Sequence, residues 1–543
     1  MRKIIGNIYL AGCFFLPVNV SAQNEAFQKE YDEFRRQART EYDDFRMKAN
    51  KEYAEYMRKA WEWYVKAEPM PLPKDDMKPP VEYNPTPTRP VEESPSPTLP
   101  ENDGDGKSLP YEEVVTVTEP ERQPQPKPMA PIREREEECV MVSFSFYGTE
   151  AQVRMPRGKA LRIEGKGGEA YAAAWEYLSD GAYDNLIRDC LTLRMKHQLC
   201  DWAYLTMLGE LCSAVCGKGS NEAVLMQAFL LCQSGYKIRL AYTEEGELLL
   251  LFKSEHLIYD LDGFSLEDGM FYSLRSLPDG MGLYICDVSF PEERPLSLWI
   301  TQEQRLTERL AEERRLISRD GKVSVAVRGD KSLLEFCAGY PTSKFGDDMM
   351  TRWAMYANTP LSGNVRTSLY PQLREAIQGL DAVAAAERLL RWVQTAFEYK
   401  YDEEVWGRDR AFFAEESLYY PYCDCEDRSI LFSRLMRDLL GLDVLLVFYP
   451  GHLATAVDFK DGAHGDYIEM GGRRFTVCDP TYIGAPVGDT MPDMDNRTAK
   501  VIVLKGNNDA GYKYILYMMF FSAKCCNFVC ELYITTFKFR STC

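Results

Sequence analysis

A proline-rich stretch between residues 69 and 131 sets the organisation of this chain. It holds 17 of the 30 prolines, interleaved with Glu, Thr, Ser and Lys. Such a composition buries no hydrophobic core and favours extended polyproline conformations. We therefore predict a disordered linker over 68–137 that separates an N-terminal segment from the folded body. Docking of this stretch onto a proline-binding partner is the alternative.

The N-terminus has the pattern of a secretory signal peptide. Two basic residues precede a mostly apolar run over 4–20, and small residues at 20–22 stand before Gln23. This order predicts a cleaved signal over 1–22 and an exported protein, periplasmic or secreted. The alternative is a lipoprotein anchored at Cys13, because Leu10-Ala11-Gly12-Cys13 matches a lipid-attachment pattern.

The charge and the cysteines of the chain further limit the kinds of protein to which it can belong. The formal net charge is −19 and the pI about 5.0, which excludes the basic surface that nucleic-acid binding needs. The 16 cysteines are scattered through amphipathic segments, and several fall on apolar faces. Free cysteine behaves there as a small hydrophobic residue, so we expect mostly buried thiols, with disulfides as the alternative.

The segment before the linker contains an 11-residue repeat. Tyr31, Tyr42, Tyr53 and Tyr64 follow one another at this spacing. Eleven residues make three turns of helix, so the tyrosines form one nearly straight stripe. We therefore predict a long amphipathic helix over 23–67 whose stripe needs a partner. Self-association in a coiled coil, docking onto an envelope partner and a solvated charged helix are the three interpretations.

The body after the linker divides into three regions and a tail. Strand-like and helical patterns predict an α+β domain over 138–275. Short alternating segments with turn residues predict a β-rich connecting region over 276–364. A helix capped by Asp381 lies near the start of a further domain over 365–505. Residues 506–543 are rich in Tyr, Phe, Lys and Cys without an amphipathic period, and we interpret them as an irregular tail.

The segment around Cys425 carries the strongest chemical signal. Leu431, Leu435 and Leu439 recur at helical spacing and Gly441 follows as a helix end, so Cys425 is expected at or just before the first turn of a buried helix. The free N–H groups of a helix start carry partial positive charge, which is expected to lower the pKa of the thiol. A cysteine so placed is a nucleophile if a base lies within reach.

His452 and Asp479 are the candidates for the base and for the acid that orients it. The chain has four histidines, and His452 opens a strand-like run directly after another strand, Val444 to Tyr449. A helix followed by two strands brings the second strand back past the helix start, which places His452 near Cys425. Asp479 ends the next strand, where its carboxylate is able to hold the imidazole in one tautomer.

These three motifs together resemble the transglutaminase-like superfamily of papain-like cysteine enzymes. The resemblance covers about residues 365–505 and rests on Cys425-Glu426-Asp427, Gly451-His452 and Asp479-Pro480-Thr481. It implies a papain-like core with Cys425 as nucleophile, His452 as general base and Asp479 as orienting acid. It leaves the reaction open, because the superfamily includes peptidases, amide cross-linkers and members without activity. The oxyanion partner is also open among Tyr419, Tyr420 and Tyr422.

A structural metal site is the rival interpretation of the same segment. Cys423, Cys425, His452 and Cys478 together make a Cys3His set, although Cys-x-Cys is a short spacing for zinc. Asp427 is interpreted as a carboxylate that supports the first turn of the helix. Our prediction has neither a metal nor another cofactor at the site.

An earlier stretch of the chain repeats the order of the candidate site. Ser220 to Glu247 spans 27 residues, as does Cys425 to His452, and Asp260 follows a short apolar run as Asp479 does. We predict that about 168–275 is a degenerate copy of the same fold, without the residues for acyl transfer. Chance recurrence of a common helix–strand–strand unit is the alternative.

The sequence as a whole predicts an exported α+β protein with a cysteine hydrolase at its C-terminal end. The expected reaction cleaves a peptide or amide bond of a protein or peptide substrate through an S-acyl intermediate on Cys425. An amine-accepting transglutaminase and a non-catalytic binding or scaffold protein are the alternatives.

Overall fold

The structure is a computed structural model that describes residues 40–70, 80–83, 106–259, 261–460 and 462–506. The predicted signal peptide, Cys13, the repeat helix before residue 40 and the tail from 507 onward lie outside these ranges. Within them the chain is α+β, as predicted. None of the helices described combines the length and the apolar character that crossing a membrane requires.

The helices and strands are numbered in chain order. The helices are α1 (40–57), α2 (Gly168–Leu178), α3 (Asp184–Lys196), α4 (Asp201–Cys216), α5 (Asn221–Gln233), α6 (Lys331–Ala338), α7 (Thr351–Asn358), α8 (Gly363–Ala376), α9 (Ala382–Ala396), α10 (Asp402–Trp406), α11 (Ala414–Tyr419) and α12 (Cys425–Leu435). The strands are β1 (Trp61–Val65), β2 (Val81–Glu82), β3 (Glu113–Val115), β4 (Cys139–Phe146), β5 (Thr149–Pro156), β6 (Ile238–Tyr242), β7 (Leu248–Lys253), β8 (Leu257–Ile258), β9 (Gly263–Leu266), β10 (Gly269–Ser273), β11 (Gly282–Cys286), β12 (Arg314–Ile317), β13 (Ser324–Val327), β14 (Ser343–Lys344), β15 (Glu398–Tyr399), β16 (Tyr422–Cys423), β17 (Val444–Tyr449), β18 (His452–Val457), β19 (Tyr467–Met470), β20 (Arg473–Cys478), β21 (Tyr482–Ile483) and β22 (Lys500–Val503). A π-helical turn, Met436–Leu440, extends α12, and a short 3-10 helix, Asn496–Thr498, precedes β22.

Two six-stranded sheets organise the molecule, and their strand orders correspond. The first sheet runs β1-β11-β6-β7-β10-β9 and the second runs β3-β22-β17-β18-β20-β19. In each sheet, a buried helix precedes a central hairpin, and a second hairpin follows and pairs with the second strand of the central one. A later strand then pairs with the first strand of the central hairpin, on its other side. We call α5 with the first sheet the first unit, and α12 with the second sheet the second unit. The outermost strands differ, because β1 is antiparallel to its neighbour and β3 is parallel.

The register of the sheets aligns the two units residue by residue. Ile238 pairs with Phe252 in the first unit, and Val444 pairs with Val457 in the second. Both second hairpins close through two residues, at 267–268 and 471–472. On the face of each sheet turned away from the helices, aligned positions form a separate small core. The aligned pairs are Ala241 with Val447, Leu249 with Ala454, Leu251 with Ala456, Phe264 with Ile468, Leu266 with Met470, Phe271 with Phe475 and Ile285 with Val501.

The N-terminal helix is shorter than predicted and buries a different face. It ends at residue 57, and β1 follows and pairs with β11, so the prediction of helix up to residue 67 is wrong. The aromatic run Trp61-Glu62-Trp63-Tyr64-Val65 has strong strand preference, and the edge of the first sheet offers it hydrogen-bonding partners. Of the tyrosine stripe, Tyr53 packs on Trp175, whereas Tyr42 remains about half exposed.

The proline-rich stretch is not a free linker along the part that the structure describes. β2 adds in parallel to β21, and β3 adds in parallel to β22 at the edge of the second sheet. Gln123 is buried and donates to the carbonyl of Trp299 at 2.8 Å. Extended backbone has unpaired N–H and C=O groups, so it adds readily to a sheet edge. Residues 71–79 and 84–105 lie outside the described ranges.

Two predicted domain features need further correction. The boundary at residue 275 divides the first sheet, because β11 lies beyond it and pairs with β6. The region 276–364 is also less β-rich than predicted, since it contains the helices α6 and α7 beside the hairpin β12–β13. Periodicity over short segments did not reveal that α7 packs on α12.

The cysteines are free thiols wherever the structure describes them. Nine of these eleven cysteines are buried, which confirms the expectation from the sequence. The other five lie outside the described residues.

Candidate functional site

Cys425 begins α12, as predicted, and is fully buried. Asp424 precedes it as the N-cap, and Asp424 and Asp427 form a reciprocal capping box that satisfies backbone N–H groups of the first turn. The helix packs on β18, where the Ser429 hydroxyl donates to the carbonyl of Leu453 at 2.7 Å. The thiol of Cys425 also hydrogen-bonds to the backbone of Leu453. The nucleophile candidate therefore lies against the residue that directly follows His452.

His452 and Asp479 form a buried pair. His452 begins β18, and Asp479 follows the last residue of the neighbouring strand β20. The Nε2 atom of His452 lies 2.8 Å from Oδ2 of Asp479, with 1% and 2% of the two side chains exposed. The other oxygen of Asp479 accepts from the backbone N–H groups of Thr481 and Tyr482. A carboxylate oxygen accepts, so Nε2 carries the proton and Nδ1 has a free lone pair in the neutral ring.

The Nδ1 atom of His452 is buried and has no hydrogen-bond partner within the described part of the chain. The Tyr449 hydroxyl is in the same state, and the Tyr449 ring stacks on the imidazole with centroids 6.3 Å apart. Buried polar atoms normally find partners, so these two atoms call for an explanation such as an ordered water, a catalytic role or a bound group. Tyr449 was not identified from the sequence.

The environment of Cys425 does not lower the pKa of its thiol. Burial, followed by the carboxylates of Glu426 and Asp424, raises this pKa well above its ordinary value. The sulfur lies 3.2 Å from Oε2 of Glu426. The expectation of a thiolate stabilised by the helix start is therefore wrong for this arrangement. The physical reason is that two adjacent acidic residues and the lack of solvent raise the thiol pKa by more than the partial charge of the helix N-terminus lowers it.

An acidic cluster lies next to the thiol. Carboxylate oxygens of Asp402, Asp424 and Asp427 lie within 4.8 Å of one another, as do those of Asp402, Asp409 and Glu426. Burial and mutual repulsion raise the pKa of Asp402 to about 8 and that of Asp427 well above its usual range. Asp427 was predicted as a support for the first turn, and the contribution of Asp402 and Asp409 was missed.

The Cys3His set of the rival metal interpretation does not converge in the part of the chain that the structure describes. Cys423 accepts from Nε of Arg428 at 3.4 Å, and Cys478 lies against the carbonyl of Thr476. His452 is held by Asp479. The described groups able to hold an ion are acidic ones, so the rival interpretation of a thiol–imidazole metal site is not supported.

Gln394 positions the loop after Asp479. Its Nε2 donates to the carbonyls of Asp479, Tyr482 and Ala485, and its Oε1 accepts from the N–H of Gly484. The side chain is buried near the end of α9. An amide that satisfies four backbone groups of one loop fixes the backbone that carries the orienting acid.

The three tyrosines considered as oxyanion partners point to different surroundings. Tyr420 packs against Trp406 and Phe412, and Tyr422 lies under the ammonium group of Lys400. Tyr419 packs on Tyr420. None of these contacts assigns an oxyanion role to one of them.

The first unit has other residues at the aligned positions. Counting five residues back from Phe252 and from Val457 aligns Glu247 with His452, as predicted. Ser220 is an N-cap whose hydroxyl accepts from Ala223, so Asn221, the first helical residue, aligns with Cys425. The prediction of Ser220 at this position is therefore wrong by one residue.

The predicted third position is also wrong. Asp260 lies outside the described residues, and the strand before it, β8, pairs with β14 instead of joining the first sheet. Tyr272 pairs with Phe252 and Thr476 with Val457, so three residues further on Arg275 aligns with Asp479. The Arg275 guanidinium donates to Glu247 at 2.9 Å, and both side chains are more than half exposed.

Comparison of the chain with models of known protein families, with curated proteins and with solved structures gives no match.

Proposed function

We propose that the second unit is the active site of an exported cysteine hydrolase that cleaves a peptide or amide bond. One observation carries this proposal: His452 and Asp479 form a buried 2.8 Å pair, and the thiol of Cys425 lies against the residue next to His452. The order of helix, imidazole strand and carboxylate strand supports a papain-like core of the transglutaminase-like kind. The shared register of the two units supports an internal duplication in which the first unit is a degenerate copy.

The proposed reaction uses His452 as the proton carrier. The Cys425 sulfur attacks the carbonyl carbon of the amide while its proton passes to Nδ1 of His452. His452 then gives this proton to the leaving nitrogen, and the carbon–nitrogen bond breaks to release an amine and leave an S-acyl enzyme. Water attacks the acyl carbon, its proton passes to His452 and returns to the sulfur, and the carboxylic acid departs. Asp479 holds the imidazole and stabilises its charged form.

The raised pKa of Cys425 shapes this mechanism. The thiol is neutral at rest, so proton transfer to His452 accompanies the attack on the carbonyl instead of preceding it. Because Cys425, His452 and Asp479 are buried, a substrate reaches them only after part of the surrounding structure moves. We propose a protein or peptide substrate outside the cytoplasm, in line with the predicted signal peptide.

The burial of the thiol also favours a second candidate, a binding or scaffold protein that uses this fold without catalysis. Labelling with iodoacetamide separates the two candidates. An enzyme is expected to label at Cys425 faster than at the structurally buried Cys190 and Cys212. Equal slow labelling at all three supports the scaffold. The exposed Tyr42, Phe45 and Tyr56 of α1 are the proposed contact for self-association or an envelope partner.

Incubation with a library of peptides and cell-wall peptide fragments tests the proposal. Products are analysed by mass spectrometry, with an amine such as lysine present in one set. Addition of water to the substrate identifies a hydrolase, and addition of the amine identifies a transglutaminase. Product formation that persists in a Cys425→Ala variant rejects the proposed site.

A further inference from the structure

The acidic cluster is defined by Asp402, Asp409, Asp424, Glu426 and Asp427. It arises where α10 and the loop after it fold over the first turn of α12. Asp402 belongs to both of the groups whose oxygens lie within 4.8 Å of one another, so the five carboxylates form one continuous site. Asp424, Glu426 and Asp427 are at least 99% buried.

Several oxygens of the cluster lack a donor. Oδ1 of Asp424, Oε1 of Glu426 and Oδ1 of Asp409 are buried and accept no hydrogen bond from any described residue. Asp424 and Glu426 also contact each other through their carboxyl groups. Two carboxylates in such contact repel each other unless a proton or a cation lies between them. The unsatisfied oxygens are therefore positions at which a proton or a cation relieves this repulsion.

Among the described residues, Arg352 and Arg410 approach the acidic cluster. Arg352 donates to Asp409 at 2.9 Å, and one guanidinium does not balance five carboxylates. Arg410 approaches Asp402 with its backbone N–H, while its side chain pairs with Glu416. The largest charge effects on Asp424 and Asp427 come from other members of the cluster. Buried charges without partners are costly and are usually relieved by protonation or by a metal ion.

We propose that the acidic cluster binds a hard divalent cation, Ca²⁺, beside the thiol of Cys425. The carboxylate oxygens of each group lie within 4.8 Å of one another, which is close enough for them to share one Ca²⁺ ion at metal–oxygen distances of about 2.4 Å. A site built from several buried carboxylates suits Ca²⁺ better than Mg²⁺, which keeps several of its waters. The oxygen-only ligand set does not favour softer metals. This binding does not depend on the proposed reaction.

Calorimetric titration of the chelator-treated full-length protein with Ca²⁺ tests the site, with Tb³⁺ luminescence sensitised by Trp406 of α10 as a second readout. Asp402→Asn and Asp424→Asn remove one charge each at nearly constant volume. The matched control is Glu403→Gln, which removes a charge from the exposed neighbour of Asp402 on the same helix. Circular dichroism shows whether each variant folds.

We expect saturable Ca²⁺ binding that Asp402→Asn and Asp424→Asn weaken at least about tenfold and that Glu403→Gln leaves unchanged. If the Asn variants do not fold, the wild-type protein alone remains a test, because bound Ca²⁺ raises its melting temperature. The absence of saturable binding and of a Ca²⁺-dependent rise in melting temperature overturns the proposal. Binding that survives both Asn changes, or binding of Mg²⁺ without Ca²⁺, also overturns it. Each result is independent of turnover, so the proposed hydrolase is tested separately.

Discussion

The first and second units share a strand order, yet they place different pairs of polar side chains at the aligned positions. In the second unit His452 and Asp479 are buried and held by further hydrogen bonds. In the first unit the aligned Glu247 and Arg275 form an ion pair with 54% and 59% of the side chains exposed. If the proposed function holds, the shared scaffold alone does not create the reactive centre. The two units differ in the burial of the aligned pairs and in the side chains at the positions of Cys425, His452 and Asp479.

The largest expected difference between the units is in turnover. We expect Cys425→Ala to lower kcat by about a thousandfold or more, because the nucleophile is lost. Asn221→Ala, at the aligned position of the first unit, is expected to leave kcat unchanged. Product formation is followed by mass spectrometry, with Cys423→Ala as the control for a neighbouring buried thiol. Equal losses from Cys425→Ala and Cys423→Ala contradict the assigned roles.

The two aligned pairs of side chains are expected to differ next in their effect on stability. Asp479→Ala leaves His452 and two backbone N–H groups without an acceptor, which costs about 3 kcal/mol or more. Arg275→Ala removes an exposed pair and is expected to cost at most about 1 kcal/mol. Urea denaturation measures both changes. Similar destabilisation by the two substitutions contradicts the expected difference in stability contribution between the two aligned pairs.

Another buried histidine, His256, follows β7 of the first unit in the chain, and it has no acid like Asp479. Burial lowers the pKa of His256 from 6.5 to about 4. Its Nε2 has no hydrogen-bond partner among the described residues, and the carboxylate of Glu255, a side chain that is 44% exposed, is 4.0 Å away. Below pH 6.5 the unfolded chain takes up the proton first, so stability falls until about pH 4.

Relative to His256→Phe, the wild-type protein is expected to lose about 3 kcal/mol of unfolding free energy between pH 6.5 and 4. Phenylalanine keeps the packing against Trp299 and Phe345 and does not titrate. Denaturation curves of both proteins at several pH values measure the difference. If the unfolding free energies of the two proteins change with pH in parallel, His256 takes up its proton in the folded state as readily as in the unfolded chain, and the expectation is wrong.

The smallest expected effect concerns the helix start of the first unit. Ser220→Ala removes the hydroxyl that accepts from Ala223, and the expected cost is about 1 kcal/mol. Turnover is expected to be unaffected, because the first unit takes no part in the reaction. Urea denaturation and the product assay check the two expectations. A loss of turnover without a loss of stability contradicts the separation of the units.

The local features of the second unit were predictable, and its long-range contacts were not. The positions of Cys425 at a helix start and of His452 at a strand start followed from periodicity and turn residues. The pKa of Cys425 was predicted in the wrong direction, because a rule about helix ends does not include neighbouring carboxylates and burial. Asp402 and Asp409 reach the site from a segment that has no regular pattern.

The same limit explains the errors in the first unit and in the proline-rich stretch. Strand pairing brings Arg275 to Glu247, and a sequence pattern does not contain that register. The short strands β2 and β3 are too brief to show periodicity, and their order depends on the sheet edges that they join. The composition of the proline-rich stretch predicted an extended backbone. The strands with which it pairs depend on the rest of the fold, so composition did not predict them.

Acylation by p-nitrophenyl acetate tests most directly whether the second unit carries the reactive centre. The protein is quenched in acid shortly after mixing, and peptide mapping locates the acetyl group. We expect Cys425 to be acetylated faster than the other buried cysteines. This acetylation is expected to slow in His452→Ala and to remain in Cys423→Ala. Acetylation spread equally over the cysteines, or concentrated at Cys423 with none at Cys425, contradicts it.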